Sequence, residues 1–539
     1  MTTPMEFQYI PAAKLPHTTF LYRAFLEDFR SVSEFYSHPP SFEGAAEAAR
    51  EVRYPAETRA KVAARLRTQN LQFGSNPAVT QNLDRLAAGA VAVVTGQQVS
   101  LFSGPSYTLY KALTAIRLAE ELTAAGTPAV PIFWLAGEDH DFAEVNHCFW
   151  PSGEGLAEFE LQCADARGQS VGAIHLGEGV AELVSRAVTQ LHGPGAETVA
   201  AALRASYTAD QTFSSALGRL IARLLGDKGL ILLDPLDAEL HQIAVPVYLR
   251  ALDEHGALSQ QLMSRTAMLT ERGFHAQVKV GEQATLLFWS LDRQRLPVRS
   301  VKGKFRVGER EFSGAEMRAA IEKAPRDFSG NVLLRPVVQD TLLPTTAYIA
   351  GPAETAYFAQ VSVVHAHLMG RMPAILPRAS ATIVEPRIAR LLDKYKLSLL
   401  DAVGGILRLR DLMEREALPR ELADLFATGE TTLQELLDRL RPPLEKLDKT
   451  LLGALETAES KMLHQYQSLA QKAGKASAFR AGVVEAHEKE ISAVLYPDGQ
   501  LQERIHCLLP EIAAHGPELL DRLGEHIQPG SANHLVVYP

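Results

Sequence analysis

Cysteine is scarce. Cys148, Cys163 and Cys507 are the three in 539 residues, an odd and widely spaced set without a Cys-x-x-Cys pair, which excludes a disulfide framework and the common zinc and redox motifs. Long apolar runs are also missing: no stretch approaches the roughly 20 residues a bilayer-crossing helix requires. The first residues carry Pro4, Glu6, Pro11 and Pro16 and lack the basic-then-apolar order of a secretory leader. Basic excess is absent as well. A formal net charge of -9 and a pI near 6.0 exclude a surface coated for nucleic acid, although a local pocket can be positive on an acidic protein. The expectation is a soluble, cytoplasmic protein with no nucleic-acid and no membrane partner.

What is present is ordinary globular material, 46% hydrophobic and 22% charged, long enough for two or three lobes. Ala90–Val94 reads as a buried strand that turns at Thr95-Gly96. After Gly104-Pro105, apolar residues at Leu109, Ala112, Leu113, Ile116, Ala119 and Leu122 have helical spacing, closed by Gly126. Ala129–Ala136 is a second apolar strand, and it runs directly into Glu138-Asp139-His140-Asp141. Strand, helix, strand makes a βαβ unit of the doubly wound type. Further strands are expected at Gly229–Asp234, Thr345–Ala350, Ala374–Leu376 and within 276–312, with helices over 184–225 and Pro352–Met369. Beyond Arg387 the pattern is helical throughout, with Pro442-Pro443 expected to open a long helix. Leu535–Tyr538 reads as a returning strand. The predicted division is an α/β core over 1–386 with inserts near 184–228 and 276–330, a coiled-coil arm over 387–500, and a segment over 501–539 that returns to the core.

Two strand ends carry the chemistry. Thr95-Gly96-Gln97-Gln98 and Gly104-Pro105-Ser106-Tyr107 lie between a strand and a helix N-terminus, where open α/β sheets bind ligands and free N–H groups favour anions. The competing reading is a polar turn that caps the helix. Glu138-Asp139-His140-Asp141 crowds four ionisable groups onto one strand end, a costly arrangement without a purpose. An aspartate capping a helix would explain one of them and leave His140 unexplained. Arg335, Gln339 and Asp340 precede Tyr348 and the Gly351-Pro352-Ala353-Glu354 helix start, and Arg335 suits a carboxylate clamp. Arg378 and Ser380 form a basic loop that reads equally as a linker. His147-Cys148 is no dyad, because neighbours on a strand face opposite ways. His365 and His367 lack the spacing that puts two ligands on one helix face.

Taken together, Val94-Thr95-Gly96-Gln97-Gln98, Gly104-Pro105-x-Tyr107, Phe133-Trp134-x-Ala136-x-Glu138-Asp139-His140-Asp141, Arg335-Pro336-x-x-Gln339-Asp340, Gly351-Pro352-x-Glu354, Pro377-Arg378-Ala379-Ser380 and Leu501-Gln502-Glu503-Arg504 resemble the bacillithiol biosynthesis cysteine-adding enzyme family over nearly the whole chain. That resemblance implies a Rossmann-like parallel-sheet core, inserted connecting segments, a C-terminal α-helical coiled-coil arm and a homodimer. It implies a ligase for the last step of bacillithiol synthesis, in which the carboxyl of L-cysteine joins the amine of glucosaminyl malate. The strand–turn–helix order also resembles class I aminoacyl-tRNA synthetases, but their His-x-Gly-His motif is missing and Gln97-Gln98 stands nearby. The cofactor is therefore unassigned, with a nucleotide (ATP or ADP) as candidate and no metal required. Asp139, His140 and Asp141 are the expected catalytic residues, His140 or Asp141 serving as general base. Thr95, Gly96, Gln97, Gln98, Gly104, Tyr107, Glu138, Arg335, Gln339, Asp340, Tyr348, Glu354, Arg378 and Ser380 are expected to bind substrate. The rival readings are a metal-dependent hydrolase of a small amide or sugar, with Asp139, His140, Asp141 and His147 as ligands, and a scaffold that recruits a partner through its arm.

Overall fold

Five strands form the central sheet: β1 (Val91–Gln98), β2 (Ala129–Ala136), β3 (Ile231–Leu233), β4 (Thr345–Ala350) and β5 (Ala374–Pro377). They lie in the order β3-β2-β1-β4-β5 and every neighbouring pair is parallel. This is the Rossmann-like arrangement, and its switch point falls between β1 and β4. The computed structural model describes residues 5–152, 155–163 and 168–539, with backbone alone over 478–481.

Strands buried on both faces need continuous apolar sequence, and β2 shows why. Phe133 and Leu135 pack with Leu109, Leu113 and Ile116 of the helix Tyr107–Ala124, whereas Ile132 and Trp134 join the opposite core with Leu83 and Leu86. At β1 the sequence expectation is corrected. Thr95 to Gln98 are strand and pair with Phe133 to Ala136. The turn comes later, where Phe102, Ser103 and Gly104 take φ values of 50°, 73° and 62°. Pairing with β2 carries β1 past its apolar run, which is all that the pattern could register.

The connection between β2 and β3 holds the hairpin His147–Ser152/Gly155–Glu160 and three helices ending with Phe213–Leu225. Between β3 and β4, two helices lead into an antiparallel five-stranded sheet that includes Ala284–Leu291, Gln294–Val301 and Phe328–Gly330. Its register shifts between Ala284 and Phe288, and Leu286 there has a φ of 64°. A third sheet ties the two ends of the chain: Asn533–Tyr538 pairs antiparallel with Glu6–Pro11 and parallel with Ser380–Ile383.

From Val384 onward helices pack around Ile388, Leu392, Leu409, Met413, Ile491 and Leu495. Two long helices, Arg420–Leu447 and Leu451–Ala481, run side by side. Gln434 donates to Glu459 at 2.7 Å and Gln467 to Glu430 at 2.7 Å across them. Pro442 and Pro443 lie inside the first helix instead of opening the second. The break falls at Asp448, whose Oδ1 accepts from the Thr450 amide at 2.8 Å and so starts the next helix. Each proline forgoes one backbone bond, the ones that would reach Asp438 O and Arg439 O, and the helix still runs on through them for about one more turn.

Candidate active site

The carboxyl ends of β1, β2 and β4 open into a cavity of about 770 Å³. Eleven of the residues expected at the site line it: Gly96, Gln97, Gln98, Tyr107, Glu138, Asp139, His140, Arg335, Tyr348, Glu354 and Arg378. The switch point of the sheet thus coincides with the motif cluster.

Several expected residues lie outside the lining. Thr95 is fully buried and its hydroxyl donates to the Ile349 carbonyl at 3.0 Å, stapling β1 to β4. Gly104 belongs to the turn before the Tyr107 helix, where a Cβ would meet the Ser100 side chain at 2.6 Å. Asp141 is exposed and precedes a short helical turn. Gln339 and Asp340 are buried behind Arg335: Arg335 donates to Gln339 Oε1 at 3.1 Å, Gln339 Nε2 to Asp340 at 3.0 Å, and His365 Nε2 lies 2.8 Å from Asp340. Ser380 bonds with His534 Nδ1 at 2.7 Å in the terminal sheet.

The cavity has two poles. At the cationic one, Arg335 also donates to Tyr357 Oη at 3.1 Å and stands over the rings of Trp134 and Tyr348. Arg378 stands over Tyr107 and pairs with buried Glu503 at 2.7 Å, while Arg504 lies exposed at the rim. Glu354 organises the wall between them, accepting from Tyr348 Oη at 2.7 Å and the Gly351 amide at 2.6 Å. Lys111 lies 2.5 Å from Glu354 and donates to Gly96 O and Gln97 Oε1, each at 2.9 Å. An ammonium has three donors, so Lys111 is saturated and acts by positioning. Burial pulls its pKa down against the pull of Glu354.

At the acidic pole stand Glu138, Asp139 and Glu144. Asp139 accepts from the His140 amide at 2.7 Å and lies 3.2 Å from His140 Nδ1 and 3.8 Å from Arg295. Gln98 donates to Glu144 at 2.6 Å. Burial lifts the Glu138 carboxyl to about 7, with Arg295 and Arg335 restraining the rise and Asp234 and Asp139 adding to it. Arg295 arrives from the inserted sheet, lies 3.9 Å over the Phe288 ring and donates to Ser329 Oγ and Gly330 O at 3.1 Å each.

Sequence reasoning overlooked Lys111, Arg295 and Tyr357. Lys111 left a signal, since it is the one charged residue in 107–116, the first half of its helix, and a lysine in such a stretch requires a buried partner. Arg295 left none, because its approach depends on an inserted sheet folding back over the core. Among the described residues no group of three or more His, Cys, Asp or Glu side chains is placed to hold a metal ion. Asp139, His140, Asp141 and His147 are thus not gathered into a metal site.

Comparison with known proteins bears on this architecture. The family model described as "Bacillithiol biosynthesis BshC, N-terminal Rossmann-like domain" matches residues 5–379, and "Bacillithiol biosynthesis BshC, C-terminal coiled-coil domain" matches 381–539. The chain belongs to the bacillithiol biosynthesis BshC family. A relative from Koribacter versatilis, named "Putative cysteine ligase BshC", is 39% identical over 95% of this chain and 96% of its own. One of the same name from Solibacter usitatus is 37% identical over 99% and 100%, and one from Salinibacter ruber 34% over 98% and 97%. Membership in the BshC family bears out the resemblance read from the strand-end motifs, and with it the Rossmann-like core and coiled-coil region. No helix among the described residues is long and apolar enough to cross a membrane.

Proposed function

We propose that this BshC-family chain is a ligase that joins the carboxyl of L-cysteine to the amine of glucosaminyl malate, the final step of bacillithiol synthesis. The observation that carries the reading is the opposition of two charge poles in one cavity. The malate carboxylates suit Arg335, Arg378, Arg504 and the helix N-terminus at Ala353, and the two amines suit Glu138, Asp139 and Glu144.

 The cavity volume of about 770 Å³ suits an amino-sugar glycoside with a small amino acid beside it. The names of the relatives support a cysteine ligase.

In this reading the cationic pole fixes the malate end and the sugar amine is presented to the acidic end of β2, where it must lose a proton before it can attack. Trp134, Tyr348 and Phe288 line the space between the poles and give the sugar ring apolar surface. The test is incubation of the full chain with L-cysteine, glucosaminyl malate and each nucleotide in turn, with product detected by mass. A product of the mass of bacillithiol that requires both substrates is expected. Its absence with every nucleotide, together with no measurable binding of glucosaminyl malate, overturns the reading.

A further inference from the structure

We propose that Glu138 is the group that takes from the acceptor ammonium the proton it must lose before the amine can attack. The inference rests on the amide-joining reading above and names a residue for one of its steps.

The backbone that carries Glu138 is clamped. A Cβ on Gly137 would meet Ser214 Oγ at 2.7 Å and Gly172 Cα at 2.8 Å, so the chain there packs too closely for any side chain. The Gly172 amide donates to Gly137 O at 2.9 Å, Val171 to Asp139 O at 2.6 Å, and the Ser170 hydroxyl to Glu138 O at 3.2 Å. Bonds before and after the residue therefore fix its direction. Its side chain is buried yet lines the cavity, and among the described residues its carboxylate accepts no hydrogen bond. A buried carboxylate with free lone pairs at a cavity wall is suited to receive a proton.

The neighbours are suited to other work. Asp139 already accepts from the His140 amide and lies beside His140 Nδ1, Gln98 and Arg295. With side chains 44% and 45% exposed, Asp139 and His140 are also far more hydrated than Glu138. Asp141 does not line the cavity. The charged and titratable groups facing Glu138 are Arg295 from the inserted sheet, Arg335, Asp234 after β3, Asp139, and Tyr248 from the helix Ala238–Asp253. Burial raises the carboxyl to about 7, within the range useful to a general base at neutral pH.

The acyl donor belongs to the class of mixed carboxylic–phosphoric anhydrides: a cysteine carboxylate oxygen attacks the γ-phosphorus of a nucleoside triphosphate, the bond from that phosphorus to the bridging oxygen breaks, and the nucleoside diphosphate leaves. The amine lone pair attacks the acyl carbon and the C–N bond forms. The C–O bond to the phosphoryl group breaks, and the phosphate leaves with the bonding pair. Before the attack the Glu138 carboxylate takes one proton from the glucosaminium and passes it to solvent, and the second N–H proton, lost as the amide forms, leaves with the departing phosphate.

The test compares wild type, Glu138→Gln and Glu138→Asp as full chains with L-cysteine and ATP. Each receives either glucosaminyl malate or hydroxylamine, an acceptor already unprotonated at neutral pH. Wild-type kcat with glucosaminyl malate should fall on the acid side with an apparent pKa near 7. Glu138→Gln should lose about 10²- to 10⁴-fold in kcat with little change in KM, while cysteine hydroxamate formation stays near wild type. Glu138→Asp should keep the acid limb at a reduced kcat. Wild-type kcat and an intact acid limb in Glu138→Gln overturn the proposal, as does equal loss with both acceptors. If wild type forms neither amide nor hydroxamate, the amide-joining reading itself fails and the assignment falls with it.

Discussion

Replacing Glu503 by Gln should destabilise the chain by about 3–5 kcal/mol, because it leaves a buried guanidinium without its counter-charge. Arg378 and Glu503 lie 2.7 Å apart with side chains 4% and 2% exposed. Glutamine fills the same space and can still accept from the Ala381 amide, which now donates to Glu503 Oε2 at 2.9 Å. What is lost is the charge. Arg378→Met should cost a similar amount by stranding the carboxylate. The double variant Arg378→Met/Glu503→Gln strands neither, so it should be far less destabilised than the sum of the two. Urea unfolding followed through Trp134, Trp150 and Trp289 compares the four proteins. Burial opposes the Glu503 charge, but Arg378, with help from His534 and the Ala381 amide, holds its pKa below the usual carboxylate value. A depressed folded-state pKa gives stability that is present above the unfolded value, near 4.3, and lost as pH falls through the folded one. The gap between wild type and Glu503→Gln should therefore narrow in acid. Strict additivity in the double variant refutes the reasoning.

Arg335→Lys keeps the charge but cannot reach both Gln339 and Tyr357 with one fork, so binding of glucosaminyl malate should weaken by about 10-fold or more in calorimetry. Wild-type affinity would remove Arg335 from the anion pole. Gly96→Ala places a Cβ 2.9 Å from both Trp134 Cβ and Trp134 O, and the forced shift should cost about 1–3 kcal/mol in a melt and displace the Lys111 anchor. An unchanged melting temperature would refute the close approach. Asp234 is raised by burial to about 6. Its stabilising, protonated form is complete below the unfolded value near 3.9 and lost as pH rises through about 6. Asp234→Asn should therefore stabilise the chain by up to about 3 kcal/mol at pH ~8 and by roughly half of that at pH ~5. The opposite order of urea midpoints would refute it.

The sequence pattern revealed the parts of the core whose causes are local. β2 is legible because Ala129 to Ala136 is apolar without interruption, and the Tyr107 helix because its apolar positions recur at helical spacing. The order β3-β2-β1-β4-β5 is not, since β1 pairs with a strand some 250 residues away and the intervening inserts leave no trace of that choice. Thr95 shows the same limit at the site. It belongs to the right motif, but pairing of β1 with β4 turns its hydroxyl to Ile349 and leaves Gly96 at the cavity. Arg295 is harder still, because it stands opposite Ser290 in an inserted hairpin whose approach to the core no local pattern records. The acidic end of β2 was the most informative local feature, and the structure separates its four members by burial and hydrogen bonding, which adjacency in sequence cannot do.

The sheet that joins the two ends of the chain also sets a timetable. Glu6 pairs with Tyr538 and Pro11 with Asn533, so the strand Glu6–Pro11 waits for Asn533–Tyr538, which leaves the ribosome far later. At about 5–20 residues per second, that wait is on the order of half a minute to two minutes. Arg378 likewise meets Glu503 late in translation. The nascent chain can close most of its Rossmann core while it is being made, but the cationic wall of its cavity is completed only when synthesis is nearly over.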